Sequence, residues 1–251
     1  MDWLEEKEKL GKEIISFLFR NGLIKTWYRH KPEGWKMVSG LWSPFYIQLR
    51  LIPSLKNARE ILKKIGYGLG KLIKAEADEV TKVAGVAMAG IPIALSITME
   101  TSIPSCYTRK LPGVKKLEDL EKILKEYGEH KLVEGEIENG DKLAIVDDLV
   151  TRFDSKLVAL RQIMLELKKR KLRAECKHVV VLVDREQGAY ETAKRYGIEL
   201  HSLIPFKTKG IEWLRDELEE IEYQTIKDYL LNPEKYQNPE TQRELKQKAE
   251  V

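Results

Sequence analysis

Apolar residues recur at helical spacing over residues 4–20, where Leu10, Ile14, Phe17 and Leu18 share a face and Asn21 with Gly22 marks a stop. The rhythm then shortens. The stretch GWKMVSGLWSPFYIQLR carries two aromatic and β-branched runs around Ser39, Gly40, Ser43 and Pro44, the pattern of a hairpin or of paired strand ends. A period near 3.6 returns over 55–75 despite Gly66, Gly68 and Gly70, and predicts a second helix.

From Val80 the pattern alternates. VTKVAGVAM reads as a buried strand, GIPIALSITMET as a helix after a tight turn and IPSCYTRK as a strand, which together make a βαβ unit. After a charged helical segment come KLVEGEI and DKLAIVDDLV, and the unbroken apolar run of the second marks a central, parallel strand. SKLVALRQIMLELKKR is an amphipathic helix, CKHVVVLVD a buried strand, QGAYETAKRYG a short helix ended by Gly197, and IELHSLI a last strand. Such alternation over 80–204 implies an α/β fold with a doubly wound, mostly parallel sheet and ligands at the carboxyl ends of its strands. Beyond Pro205, residues 211–231 read as one helix. After Asn232 and Pro233 the chain turns very polar, as in a solvated tail or a docking helix.

Composition narrows the picture only a little. A chain of 251 residues with 43% apolar content suits one α/β domain with elaborations. The net charge of +4 is a small difference between 44 basic and 40 acidic residues, so neither a nucleic acid nor a membrane is expected as a partner. The basic run KKRKLR fits the exposed last turn of a helix, where cations complement the dipole. Cys106 and Cys176 lie far apart without ligand spacing and read as buried thiols of a reducing compartment. No run approaches the ~20 apolar residues of a bilayer span, and no signal-peptide pattern opens the chain, so a cytoplasmic location is the expectation.

The chemistry concentrates in KLAIVDDLVTRFDSKLVAL: an apolar strand ending in Asp147 and Asp148, a short turn, and a helix beginning near Asp154 or Ser155. A turn entering a helix presents unpaired N–H groups and the positive end of the dipole, and Thr151, Arg152 and Ser155 add donors that suit a phosphate. The acids can accept hydrogen bonds from sugar hydroxyls or hold a hydrated magnesium ion. Equally, Asp154 or Ser155 can simply cap the helix while the acids mark a strand end.

IVDDLVT followed by a short loop and Ser155 resembles the phosphoribosyl diphosphate signature of type I phosphoribosyltransferases. Four further segments resemble the orotate branch in order: SGLWSPFYIQLR its hairpin, GVAMAGIPIALSITMETSIP its Gly-Ile-Pro helix start, YTRK its paired basic residues, and VLVDREQGA its Asp-Arg strand end. The resemblance implies a core over 1–205, with a hood at about 23–52, a loop with an insertion at about 109–131, and a helical extension over 206–251. By the same resemblance Asp147 and Asp148 bind ribose hydroxyls, residues 151–155 (Thr151, Arg152, Phe153, Asp154, Ser155) hold the 5-phosphate, and Arg185 meets the pyrimidine with Phe45 and Tyr46 lining its pocket. Arg109, Lys110 and the loop residue Lys125 would face the departing diphosphate. Tyr127 stands at the usual His position, and His130 follows three residues later as an alternative donor. Mg2+, phosphoribosyl diphosphate, a pyrimidine base and a homodimer are likewise implied.

Where the family reads Thr-Thr-Gly-Gly-Ser, this chain has TRFDS. Phe153 adds bulk and Asp154 adds charge that repels an anion if it faces one. Alternatively Arg152 compensates and Asp154 points away as a cap. Val38, Leu41, Trp42 and Ala89 replace positions often basic in the family. Two functions follow from these features: orotate phosphoribosyl transfer, or a catalytically weak relative that binds a nucleotide or phosphoribosyl ligand in a regulatory role.

Overall fold

The computed structural model describes residues 2–37, 40–124 and 131–249. Helix α1 (Trp3–Arg20) leads into β1 (Ile24–Thr26), the one-turn α2 (Trp27–His30), β2 (Trp35–Lys36), β3 (Trp42–Ser43) and β4 (Phe45–Ile47). β2 pairs antiparallel with β3, as the hairpin pattern anticipated. β4 instead turns back to pair with β1, bringing Thr26 opposite Phe45. A 3-10 turn (Leu49–Ser54) containing Pro53 delays α3 to Ala58–Glu76.

The core alternates as expected: β5 (Lys82–Gly85), α4 (Gly90–Thr101), β6 (Ser105–Thr108), α5 (Leu117–Leu124), β7 (Val133–Glu134), β8 (Lys142–Val150), α6 (Asp154–Arg170), β9 (Glu175–Asp184), α7 (Ala189–Arg195) and β10 (Glu199–Pro205). The six strands lie in the order β10-β9-β8-β5-β6-β7, all parallel except the β6–β7 pair. β8 is thus central, and its two faces feed two cores. Ala144 and Val146 join α1, α3 and α4, while Leu143 and Ile145 join α6 and α7. A strand buried on both faces needs an unbroken apolar run, which is why β8 and β9 lack alternation. Gly66 lets α3 approach α4, since a Cβ there would stand 2.2 Å from the Ser96 carbonyl oxygen.

Residues 206–249 form a π turn (Phe206–Gly210), α8 (Ile211–Trp213), α9 (Glu220–Leu231), a 3-10 turn (Pro233–Gln237) and α10 (Pro239–Ala249). The single helix anticipated over 211–231 is broken, because Glu219 and Glu222 form a reciprocal capping box that starts α9 afresh. The polar end is docked rather than solvated. Leu245 is buried, its carbonyl accepts the Trp27 indole N–H at 3.1 Å, and Gln237 exchanges hydrogen bonds with the Trp42 backbone at 2.8 and 3.2 Å. Glu222, fully buried, accepts from Thr26 Oγ1 and from Arg29 Nε, so α9 holds the strand-β1 end. No helix among the described residues is long and apolar enough to cross a membrane.

Leu245→Ala is expected to lower stability by about 2–4 kcal/mol, in the range for truncating a buried leucine, because the Trp27 ring loses the cover of α10. Chemical denaturation of the two proteins side by side measures it, and an unchanged midpoint would mean that α10 is not docked in solution.

Candidate active site

β8 delivers Asp147 and Asp148 at its carboxyl end, and Gly90 at the start of α4 lies against them. A Cβ at Gly90 would stand 2.3 Å from the Val146 carbonyl oxygen, so only glycine lets that helix end come so near. The turn after β8 is where this chain departs from the Gly-rich pattern. Phe153 takes φ +82°, a left-handed conformation that costs a non-glycine residue about 1–2 kcal/mol. Its ring is 2% exposed in the core beneath α6, and burying such a ring contributes about 1.5–3 kcal/mol, enough to offset the strain. The Phe153 carbonyl accepts the Lys156 and Leu157 N–H groups at 2.9 and 3.1 Å and so starts α6. The bulk anticipated as an obstruction in the turn therefore points into the protein. Arg152, Asp154 and Ser155 are exposed and Thr151 is half-buried, while the N–H groups of the first helical turn have no acceptor within the helix.

The sequence reading missed Lys156. Its ammonium, 3% exposed, lies 2.6 Å from Asp147 Oδ2 and also donates to the Leu149 carbonyl, while Asp147 Oδ1 accepts the Asp148 N–H at 2.9 Å. Both oxygens of Asp147 are thereby engaged. Asp148 is half-buried, and burial together with the charge of Asp147 pushes its carboxyl up to about 7 against the opposing pull of Lys156. Asp184, at the end of the neighbouring strand, is also raised by burial.

Arg185 follows Asp184 and is 2% exposed. Its guanidinium sits 4.5 Å from the centre of the Phe45 ring, and the Tyr229 side chain lies near enough to favour its charged form. Its Nε has no partner among the described residues. Burial lowers its pKa, and Tyr229 acts in the opposite direction. Phe45 is fully buried between Arg185, Phe206 and Tyr229, with ring centres 5.2 and 5.8 Å away for the two aromatics. Tyr46, half-buried, stacks on Trp35 at 6.0 Å. The hood, the sheet and α9 therefore meet at one cation, and no motif or spacing marks Tyr229 as its neighbour.

Arg109 and Lys110 leave the end of β6 exposed, with Arg109 Nε 3.7 Å from Glu134. Beyond them Leu111, Val114, Leu120 and Leu132 form a small core against Val158 and Leu165, which seats α5 on α6. Lys125, Tyr127 and His130 lie outside the described residues. A cleft of about 820 Å³ opens between α5, the start of α6 and α7, and its rim sets Lys116, Arg152 and Arg195 against Glu118, Asp154 and Glu191. Neither Asp147 nor Asp148 lines it.

A mostly parallel sheet with an acid pair on its central strand, a helix start behind that pair and a hood over the strand ends define a type I phosphoribosyltransferase fold. Solved structures agree: the chain matches Leishmania donovani UMP synthase with TM-score 0.68 and 22% identity over 87% of this chain and 42% of that one. It matches orotate phosphoribosyltransferase from Aeropyrum pernix with TM-score 0.59 and 23% identity over 81% and 97% of the two chains. No family model matches. Orotate phosphoribosyltransferase of Pyrococcus horikoshii is 30% identical over 211 residues, 81% of this chain and 97% of the relative, and on that likeness the chain belongs to the orotate phosphoribosyltransferase family.

Replacing Phe153 tests the turn. Phe153→Ala should destabilise by about 3–5 kcal/mol, the usual loss for a buried ring. Phe153→Gly should be the milder change by about 1 kcal/mol, because glycine accepts the positive φ, reversing the usual order of alanine and glycine. Thermal unfolding of both variants gives the order, and alanine proving the more stable would show that φ strain is absent.

Proposed function

We propose that this protein transfers the phosphoribosyl group of phosphoribosyl diphosphate to orotate and releases diphosphate, with Asp147, Asp148 and the 151–155 turn as its phosphoribosyl site. The observation that carries the reading is the acid pair at the end of the central strand, directly before a helix start whose exposed side chains are Arg152, Asp154 and Ser155. The inward turn of Phe153 leaves the outer side of the loop to backbone N–H groups, to Thr151 and Ser155 and to the Arg152 cation, a donor set for a phosphomonoester, with the Asp154 carboxylate exposed beside them.

Asp147 and Asp148 are given unequal tasks by their surroundings. Lys156 neutralises Asp147 and fixes it as an acceptor, whereas Asp148 holds its proton unusually well because of burial and the neighbouring charge. Such a carboxyl suits hydroxyl donors and a cation, which would stabilise its charged form. It is thus the residue on the protein that fits Mg2+, by way of water or of the bound sugar. When bound, Mg2+ would offset charge on the diphosphate. Arg109 and Lys110, exposed at the adjoining strand end, and Lys125 from the loop would approach the same leaving group.

Arg185 is the group for the base. A buried guanidinium beside one ring face and one phenol keeps donors to spare, and the carboxylate of orotate offers the anionic, two-oxygen partner that matches it. Entry of the base would move the Phe45 ring or the Tyr229 hydroxyl, so the hood and α9 take part in binding. Catalysis would rest on orienting the two reactants and excluding water while charge develops on the ribose carbon. A homodimer and a cytoplasmic location belong to the same proposal.

Two measurements test it. Calorimetric titration with Mg2+ and phosphoribosyl diphosphate should show affinity rising with pH and levelling off above about 7, because the ligand binds the ionised Asp148; Asp148→Asn should bind weakly and lose that slope. Orotate-dependent diphosphate release should follow in the same protein, and Arg185→Met should lose about 2–5 kcal/mol of kcat/KM for orotate. Binding without release for any base would favour the regulatory relative, and absence of binding would refute both readings.

A further inference from the structure

At the end of the sheet remote from the acid pair, His178 of β9 and His201 of β10 face each other. In the parallel register Glu199 lies beside His178, and His201, two residues along, shares its face, so three potential ligands converge on one side of the sheet. His178 Nδ1 and His201 Nε2 stand 3.1 Å apart, and Glu199 Oε2 is 4.0 Å from each. The outer nitrogens are both committed to carboxylates: His178 Nε2 lies 2.7 Å from Glu79 Oε1, and His201 Nδ1 lies 3.2 Å from Glu76 Oε2.

These contacts decide where the ring protons are. An ionised carboxylate can only accept hydrogen bonds. Glu76 also accepts from Lys7 Nζ at 2.8 Å and the Glu79 side chain is 41% exposed, so both stand as ionised acceptors toward the rings. Each histidine therefore carries its proton on the outer nitrogen, and in the neutral rings the inner pair presents two lone pairs to each other at 3.1 Å. Two buried lone pairs at that distance repel unless a cation lies between them. Glu76, Glu79 and Glu199 surround the pair with negative charge, and Lys7, 2.8 Å from Glu76, is the basic group bonded into the chain.

We propose that His178 Nδ1, His201 Nε2 and Glu199 form a structural site for a divalent first-row transition cation of the zinc type. Two imidazoles and a carboxylate are a donor set that zinc accepts, with water in the fourth position, and nitrogens bound to one tetrahedral zinc stand about 3.4 Å apart, close to the observed separation. Glu79 and Glu76 occupy the positions of the carboxylates that orient metal-bound histidines from behind. Glu199, two-thirds exposed, is free to swing the short remaining distance. The bound ion would tie the edge strand β10 to β9, to the end of α3 through Glu76 and, through Lys7, to α1. In the β8–β9 register Asp147 lies opposite Val181, three residues along the strand from His178 or about 10 Å, so this site is separate from the proposed phosphoribosyl site and does not depend on that reading.

The test uses full-length, tag-free protein treated with a chelator and desalted. Zinc titrated calorimetrically should bind at one equivalent per chain and raise the Tm, and cobalt in its place should give the visible d–d bands of a tetrahedral nitrogen and oxygen site. Glu199→Gln, a change at an exposed residue, and Glu79→Gln, behind His178, should each weaken zinc binding by about 10–100-fold with the apo fold intact, and His201→Gln should abolish it. No zinc binding by the native chain, or binding equally strong in all three variants, would overturn the site; the histidines would then be bridged by a shared proton.

Discussion

Phe153 has to satisfy two demands at once, and the arrangement around the acid pair depends on its doing so. The chain must leave β8 and enter α6 within four residues, which calls for a positive φ at the residue before the helix. Glycine meets that demand passively. Here an aromatic ring meets it through burial, since the energy of placing the ring beneath α6 exceeds the backbone strain. Because the ring points inward, Lys156 on the first turn of α6 is brought over the strand end and its ammonium reaches Asp147. The ion pair and the exposed face of the turn are thus consequences of one backbone angle.

A second constraint acts through Arg185. Burying a guanidinium is expensive unless its donors and its charge are met. Phe45 supplies a ring face, worth up to about 2 kcal/mol for a desolvated cation, and the Tyr229 side chain favours the charged form. These residues come from the hood, from the end of the sheet and from α9. The segment after Pro205 is therefore part of the wall of the proposed base site and not an appendage, and Phe206, Tyr223, Tyr229 and Tyr236 share a core with Trp27, Trp42 and Phe45.

What the sequence disclosed depended on how densely each element repeats its signal. β8 and β9 were legible because burial on both faces demands unbroken apolar runs, and α1 and α6 because an amphipathic stripe over many residues is hard to mistake. β1 was not legible: Ile24, Lys25 and Thr26 form too short a run to declare a strand, and only its pairing with β4 makes it one. The docked end was ambiguous because Tyr236 and Leu245 are isolated among charges. At the candidate site, Asp147, Asp148 and the turn stood out by order and spacing. Lys156 did not, since a lysine on an amphipathic helix reads as surface until the helix start is placed against the strand. His178 and His201 are 23 residues apart, and only the β9–β10 register brings them together.

The bond from the Trp27 indole to the Leu245 carbonyl spans 218 positions of the chain. During synthesis the hood emerges before the central sheet, yet the backbone that covers it appears 218 positions after Trp27. At a translation rate of about 5–20 residues per second, Trp27, Trp42 and Phe45 wait for ten seconds or longer without their final neighbours. The β-α alternation of the core can assemble meanwhile from contacts closer in sequence, while the hood stays an exposed aromatic surface that nascent-chain chaperones are suited to shield. Completion of the proposed base pocket thereby waits for α9, so a product terminated before that helix would carry the central sheet without a finished site.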